Sequence, residues 1–168
     1  MEMKIQPIQK EQLGIVANLA YAIWPVAYAD MISSEQLNYM LDKIYTLDAL
    51  SHQMERMGHQ FIVVFDENET PVAFASYGLT SDGITEFIKL HKLYVLTELH
   101  GKGIGRLLVE YITEDMIKKG HSSLRLNVNR KNAAIQFYKK LGFQIIREED
   151  IDIGNGFFMN DFVMEKQI

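Results

Sequence analysis

The stretch from Leu93 to Leu108 reads LYVLTELHGKGIGRLL, and it decides how the rest of the chain is interpreted. It begins with apolar residues typical of a strand, carries three glycines at alternate positions, and continues as a helix pattern. Glycine lets backbone N–H groups approach an anion closely. The start of a helix adds unpaired N–H groups and the positive end of the helix dipole. The stretch therefore predicts a strand, an anion-binding loop and a helix, in that order.

The spacing of the glycines excludes two common phosphate sites. Gly101, Gly103 and Gly105 do not fit the G-x-x-x-x-G-K-[ST] pattern of P-loop nucleotidases. They also do not form G-x-G-x-x-G after the first strand of a βαβ unit, so a dinucleotide-binding domain is not expected. A tight turn without a ligand is the simpler alternative, but such a turn seldom needs three alternating glycines. We predict that the loop binds a pyrophosphate, with Lys102 and Arg106 adding positive charge.

Upstream of this loop, hydrophobic periodicity predicts one strand, three helices and then three strands. Pro25 is expected to stop or kink the first helix, Ser34 to open the second, and Thr46 or Asp48 to cap the third. The predicted ranges are residues 3–8 (strand), 11–24, 34 onward and up to about 58 (helices), and 60–65, 71–79 and 84–96 (strands).

Downstream of the loop, the same patterns predict two helices, one strand between them and a final hairpin around residues 154–156. The ranges are residues 104–119 and 132–141 (helices) and 123–128, 143–151 and 157–164 (strands). The expected architecture is α/β or α+β, with a mixed, largely antiparallel sheet of six to seven strands flanked by helices, in one domain spanning residues 1–168.

The composition removes several classes of function. The net charge of −5, without a basic cluster, argues against a nucleic-acid partner and mildly favours a cationic substrate. The absence of cysteine removes disulfides, a thiolate nucleophile and zinc–thiolate sites, and we expect no metal. No apolar stretch has the length of a membrane span or a signal peptide, so we expect a cytoplasmic protein without a membrane partner.

Two motifs together resemble the GNAT superfamily of acyl-CoA N-acetyltransferases. In the first, Leu93-Tyr94-Val95 is followed by the run from His100 to Leu108, which is similar to the family signature Q/R-x-x-G-x-G/A. In the second, the segment from Asn132 to Phe143 reads NAAIQFYKKLGF and is similar to the family segment in which an asparagine precedes alanine, a Phe-Tyr pair and a Gly-Phe pair. His100 departs from the usual Gln or Arg, although histidine can also donate a hydrogen bond to phosphate.

The resemblance implies a splayed central pair of strands that offers backbone groups to the pantetheine of acetyl-CoA. Leu90 and Leu93 both look like core residues although strict alternation separates them, so we expect a bulge near His91 or Lys92. Asn132 is expected to contact CoA, or to cap the following helix. The implied cofactor-binding residues are Leu93, Tyr94, Val95, His100, Gly101, Lys102, Gly103, Ile104, Gly105, Arg106, Asn132 and Tyr138.

The resemblance also implies catalytic roles. Tyr138 aligns with the family's general acid, because a phenol with a pKa of about 10 can share a proton with a thiol of about 8.5; core packing is its alternative role. A primary amine with a pKa of about 10.4 must lose a proton before it attacks. His91, with an ordinary pKa of about 6.5, is the first candidate base and Glu86 the reserve. A solvent-facing or core histidine is the alternative for His91.

The acceptor site is the least defined part. Trp24, Tyr28 and Tyr39 are candidates for an apolar wall or a cation–π contact with an ammonium-bearing substrate, or else they are core residues. The helical first third looks most like the bacterial branch of polyamine (spermine/spermidine) acetyltransferases. The apolar last hairpin raises the alternative of a homodimer.

The main functional hypothesis is transfer of an acetyl group from acetyl-CoA to a primary amine of a small molecule, with a polyamine as the first candidate. The amine would attack directly in a ternary complex. One alternative is acetylation of a protein N-terminus or a lysine side chain. Another is a non-catalytic regulatory domain that binds acyl-CoA; retention of Tyr138 within its motif speaks against it.

Overall fold

In the computed structural model, which describes residues 2–168, seven strands form a single sheet. The strands are β1 (Lys4–Pro7), β2 (Gln60–Phe65), β3 (Pro71–Ser81), β4 (Glu86–Val95), β5 (Ser123–Asn129), β6 (Gln144–Gly154) and β7 (Phe157–Gln167). Their order across the sheet is β1-β2-β3-β4-β5-β7-β6, and all neighbours are antiparallel except β4 and β5. The predicted mixed, largely antiparallel sheet is confirmed.

Five α-helices cover the two faces of the sheet. They are α1 (Leu13–Ala27), α2 (Ser34–Ile44), α3 (Leu47–Arg56), α4 (Ile104–Lys118) and α5 (Ala134–Lys140). Ser33 and Thr46 cap α2 and α3 through their hydroxyl oxygens, which accept from backbone N–H groups. Pro25 does not stop α1, which continues to Ala27, because a proline in the last turn removes only one backbone hydrogen bond. No helix within residues 2–168 is long and apolar enough to cross a membrane.

Strand β4 contains one extra residue, at His91. Neighbouring residues of β3 pair with Leu90 and Lys92, so His91 is left out of the register. Leu90 and Leu93 consequently contact the same apolar cluster beneath α4. His91 and Lys92 both turn to the opposite face, where Lys92 donates to Gln53 of α3. The predicted bulge is confirmed.

The central strands β4 and β5 pair over only a short length. Residues 88–90 pair in parallel with residues 124–126, whereas β4 continues to Val95 and β5 to Asn129. The two strands therefore separate toward their carboxyl ends, as the predicted splay requires. The connections to α4 and α5 leave from this same end, so the following loops converge at the opening.

Apolar side chains on the two faces of the sheet form two separate clusters. One lies between the sheet and helices α4 and α5, and the other lies beneath α1, α2 and α3. The first includes Leu108 and Tyr138, and the second includes Trp24 and Leu50. The unpaired end of β4 contributes to both clusters, because Leu93 packs with the first and Tyr94 with the second.

Candidate active site

The glycine loop joins the end of β4 to α4 at the open end of the central strands. Gly101 and Gly103 have φ angles of +80° and +81°, in the left-handed region that favours glycine. Gly105 has an ordinary backbone, but a Cβ there would lie 3.0 Å from Cζ of Phe137. Two glycines therefore shape the loop, and the third lets α4 pack closely against α5.

The start of α4 suits a negatively charged ligand. Gly103 precedes the first helical residue, and the first turn contains no acidic residue. Its unpaired backbone N–H groups and the helix dipole favour an anion at this end. Lys102 is exposed beside the loop, and the exposed side chain of Arg106 pairs with Glu110 one turn further on, with Nε 2.9 Å from Oε1. The loop thus combines backbone donors with two positively charged side chains.

His100, the unusual residue of the loop, is fixed to the end of β4. Its Nε2 lies 3.0 Å from the backbone oxygen of Val95. A carbonyl oxygen only accepts, so Nε2 carries the hydrogen of this bond and Nδ1 is the ring nitrogen left for another partner. The side chain therefore connects strand and loop, and its predicted contact with phosphate stays a prediction.

Three tyrosines lie around the opening between β4 and β5. The hydroxyl oxygens of Tyr28 and Tyr94 are 2.8 Å apart. Tyr138 extends from α5, with its ring edge-on to those of Phe137 and Phe143. Burial raises the pKa of Tyr28 to about 12 and raises those of Tyr94 and Tyr138 further, with the nearby Tyr28 adding to both. All three phenols are therefore protonated at neutral pH, so they can donate hydrogen bonds.

Asn132 shapes the connection from β5 to α5. Its Oδ1 accepts from the backbone N–H of Ala134 at 2.8 Å, and Oδ1 of the neighbouring Asn129 accepts from Lys131 at 2.9 Å. The bond from Ala134, the first residue of α5, fits the capping role considered for Asn132, although Ala133 lies between them. Its predicted contact with CoA stays a prediction. The connection is held in one shape beside the opening.

His91 lies within a histidine pair. Its ring stacks on the buried His59 ring, with centroids 3.7 Å apart and an angle of 11° between the planes. Burial, the neighbouring His59 and the charges of Lys92 and Lys89 together lower the pKa of His91 to about 2. Burial and the charges of the same two lysines lower the pKa of His59 to about 4. Both rings are neutral at pH 7, and His91 accepts a proton less readily than an ordinary imidazole. Glu86 lies at the end of β4 farthest from the loop.

The aromatic candidates for the acceptor site occupy two different places. Trp24 is buried, and its ring centroid lies 4.7 Å from that of Tyr28 and 5.5 Å from that of Tyr94. Tyr28 is also buried, and its hydroxyl group is hydrogen-bonded to that of Tyr94, which belongs to the strand beside the opening. Tyr39 donates to the backbone oxygen of Ile153 at 2.8 Å and so connects α2 to the tip of the last hairpin. Their contacts with a substrate stay predictions.

An acidic group beside the opening was missed by the sequence analysis. Asp161 of β7 is 5% exposed and pairs across the strands with Asn129, the last residue of β5. The Nδ2 atom of Asn127 lies 3.4 Å from both Oδ2 of Asp161 and Oε2 of Glu149. Burial raises the pKa of Asp161, and Glu149 raises it further. The only signal in the sequence is an aspartate inside the apolar segment FFMNDFVM.

The chain is similar to known acetyltransferases in sequence and in fold. A family model described as an acetyltransferase (GNAT) domain matches residues 28–165. The spermidine N(1)-acetyltransferase of Thermoplasma acidophilum is 28% identical, covering 99% of this chain and 98% of that protein. A crystal structure of a PaiA N-acetyltransferase from the same organism, in complex with coenzyme A, superposes with a TM-score of 0.82 at 27% identity, covering 100% of both chains.

A further relative matches only part of the chain. The peptidyl-lysine N-acetyltransferase of Salmonella typhimurium is 32% identical over 55% of this chain and 54% of its own length. The family model spans well over half of the chain, and its match includes both the glycine loop and the Tyr138 segment. The fold, the separated central strands and the family match lead to one conclusion: this chain belongs to the GNAT family of N-acetyltransferases.

Proposed function

We propose that the protein transfers the acetyl group of acetyl-CoA to a primary amine of a small molecule, with a polyamine as the first candidate acceptor. The observation that carries this proposal is the position of the glycine loop and Tyr138 on either side of one opening between β4 and β5. Support for the acceptor comes from the full-length similarity to a spermidine acetyltransferase. Support for the cofactor comes from the coenzyme A complex of the structural neighbour.

The residues of the loop fit the pyrophosphate of acetyl-CoA. A Cβ added at Gly101 or Gly103 would meet no atom within 4 Å, so the space beside both residues is open to a ligand. Backbone N–H groups at the start of α4 would hold the phosphate oxygens, with Lys102 and Arg106 adding charge. The backbone from Leu93 to Val95, which β5 does not pair, would bind the pantetheine amides. Asn132 would complete the site from the α5 side.

Tyr138 would act on the leaving sulfur. When the amine nitrogen attacks the thioester carbon, the C–S bond breaks and negative charge develops on sulfur. The phenol remains protonated because burial raises its pKa, so it can donate a hydrogen bond to that charge. Since the phenol is a weaker acid than a thiol of pKa about 8.5, we infer that this hydrogen bond stabilises the transition state and that full proton transfer follows only as the product leaves.

The attacking nitrogen must also lose a proton. His91 is on the face of the sheet that carries α1 to α3, but its pKa of about 2 makes a protonated imidazole costly near neutrality. A water molecule that passes the proton to solvent would avoid the free energy of protonating this imidazole. We therefore propose that water removes the proton from the amine and that His91 shapes the acceptor side of the site. Direct proton uptake by His91 is the second way in which the amine could lose its proton.

The experiment that tests the function measures release of free thiol from acetyl-CoA across polyamines, amino acids and peptides. We expect turnover with spermidine or spermine, and lower turnover with single amino acids. Turnover on peptides alone would favour the lysine or N-terminal alternative, which the partial relative in Salmonella supports. Tight binding of CoA without turnover on any acceptor would favour a regulatory domain.

A further inference from the structure

A buried carboxylate near the opening has an oxygen without a partner. Oδ1 of Asp161 is shielded from solvent and accepts no hydrogen bond from any residue in the described range 2–168. A buried ionised oxygen in this state is costly unless a cation or a donor pairs with it. Asp161 therefore has an unused capacity to bind a positively charged or hydrogen-donating group.

The neighbouring cations are engaged elsewhere. Arg130 pairs with Asp150 and Glu148 and reaches only the backbone oxygen of Asp161. Arg147 pairs with Glu149, on the oxygen that faces away from Asn127. Lys89 lowers the pKa of Asp161 through its charge, but none of the residues 2–168, Lys89 included, donates a hydrogen bond to Oδ1. The free oxygen is thus not satisfied by the basic side chains that surround it.

Asp161 lies on the side of the sheet where an acceptor would enter. Alternation along β5 turns Leu126 and Val128 toward the cluster beneath α4, so Asn127, which contacts Asp161, turns toward α1. Asp161 is opposite Asn129, beyond the last residue of β5 that pairs with β4. It is therefore one strand spacing, about 5 Å, from the strand that borders the opening. The charge of Asp161 also influences Tyr28, whose hydroxyl lies at the opening.

We propose that Asp161, supported by Asn127 and Glu149, binds a cationic nitrogen of the acceptor amine. This inference rests on the proposed function and names the residue that would select a positively charged acceptor. Nδ2 of Asn127 lies 3.4 Å from Oδ2 of Asp161 and the same distance from Oε2 of Glu149, so it bridges the two carboxylates and leaves Oδ1 without a partner. An ammonium group has the charge and the donors that this oxygen requires.

The test measures binding of spermidine by calorimetry, in the presence of CoA, to the wild-type protein and to the variant Asp161→Asn. We expect affinity for spermidine to fall about 10- to 100-fold, the range for loss of a hydrogen bond to a charged group, while affinity for CoA is unchanged. The matched control is Asp152→Asn, which removes the charge of an exposed carboxylate on β6, keeps an oxygen that can accept from the backbone N–H of Gly154, and should leave spermidine binding unchanged. If Asp161→Asn does not retain CoA affinity, Asp161→Ser replaces it.

The outcomes separate this inference from the proposed function. Equal spermidine affinity in the wild type and in a folded Asp161 variant overturns the inference, whatever the turnover. A wild-type protein that binds no spermidine also overturns it. A third outcome is that the wild type binds spermidine and the variant does not, yet no amine supports thiol release. That outcome supports the binding site and contradicts the proposed reaction.

Discussion

At the scale of single residues, Tyr138 offers the sharpest test of the chemistry. Its ring lies between two phenylalanines, so Tyr138→Phe keeps the packing and removes only the hydroxyl. We expect kcat to fall about 100-fold or more, as for loss of a general acid, because the leaving sulfur loses its hydrogen-bond donor. The KM for acetyl-CoA should change little. Steady-state kinetics with the best acceptor measures both values, and unchanged turnover would remove this role.

The stacked histidines give a second prediction at this scale. The unfolded chain takes up protons on these rings near their ordinary pKa of about 6.5. The folded protein does so only at about 4 for His59 and about 2 for His91. The free energy of unfolding should therefore fall as the pH is lowered from about 6.5 towards 4, by up to ~1.4 kcal/mol per unit for each ring.

Urea denaturation at several pH values measures this slope. The variant His91→Phe removes one of the two titrating rings and keeps an aromatic face against His59. Its stability should therefore depend less steeply on pH in the same interval. A slope identical to that of the wild type would mean that His91 does not take part.

The same residues show what the sequence could and could not predict about the site. Tyr138 and the glycines lie in local motifs, so their positions follow from neighbours along the chain. The contact of His59 with His91 joins residues far apart in sequence, and no spacing rule predicts it. Asp161 was missed for a similar reason, because its importance depends on Asn127 and Glu149 across two strands.

At the scale of secondary structure elements, Gly105 controls how α4 meets α5. In Gly105→Ala the new Cβ would lie 3.0 Å from the ring of Phe137, so that ring must shift. We expect a loss of about 1–3 kcal/mol in the free energy of unfolding, as for overpacking, together with weaker binding of acetyl-CoA. Denaturation and calorimetry measure the two effects.

The matched control for this change lies in α1. Gly14 is also helical, and a Cβ there would meet no atom within 4 Å. Gly14→Ala should leave stability unchanged or raise it slightly, because alanine costs less backbone entropy than glycine in a helix. Equal effects of the two substitutions would mean that contact with Phe137 is not the cause.

Elements were predicted best where the hydrophobic pattern was strong. Strand β2 has the predicted bounds, residues 60–65, because turns and loops flank a continuous apolar run. The predicted end of α1 at Trp24 was wrong, because Pro25 was expected to stop or kink the helix, although a helix tolerates proline in its last turn at the loss of one hydrogen bond. The bulge was predictable because two core leucines were three residues apart in a strand.

At the scale of the whole molecule, we propose that both apolar clusters unfold together as one domain. Leu50 and Leu108 are fully buried on opposite faces of the sheet. Changing either to alanine should reduce the free energy of unfolding by about 2–5 kcal/mol and leave one cooperative transition. Leu47, exposed on the same helix as Leu50, should tolerate alanine with little change. Two separate transitions in calorimetry would contradict a single domain.

The fold class was predictable from the sequence, but the oligomeric state was not. Fold class followed from element order and the two motifs, since each motif fixes a strand, a loop and a helix. The homodimer, considered as an alternative to burial of the apolar last hairpin, stays a prediction. Phe157 packs on Tyr39 and Phe162 joins the core, which accounts for part of that apolar surface, whereas Phe158 is half exposed.

The short pairing between β4 and β5 also has a mechanical consequence. Among residues 2–168, three residue pairs join the half of the sheet that contains β1 to β4 to the half that contains β5 to β7. Two plates joined by a short hinge can rotate slightly without stretching the ladders inside either plate. The loop is carried on one plate and Tyr138 on the other, so the close contact of α4 with α5 at Gly105 and Phe137 is a second link that sets the spacing between them.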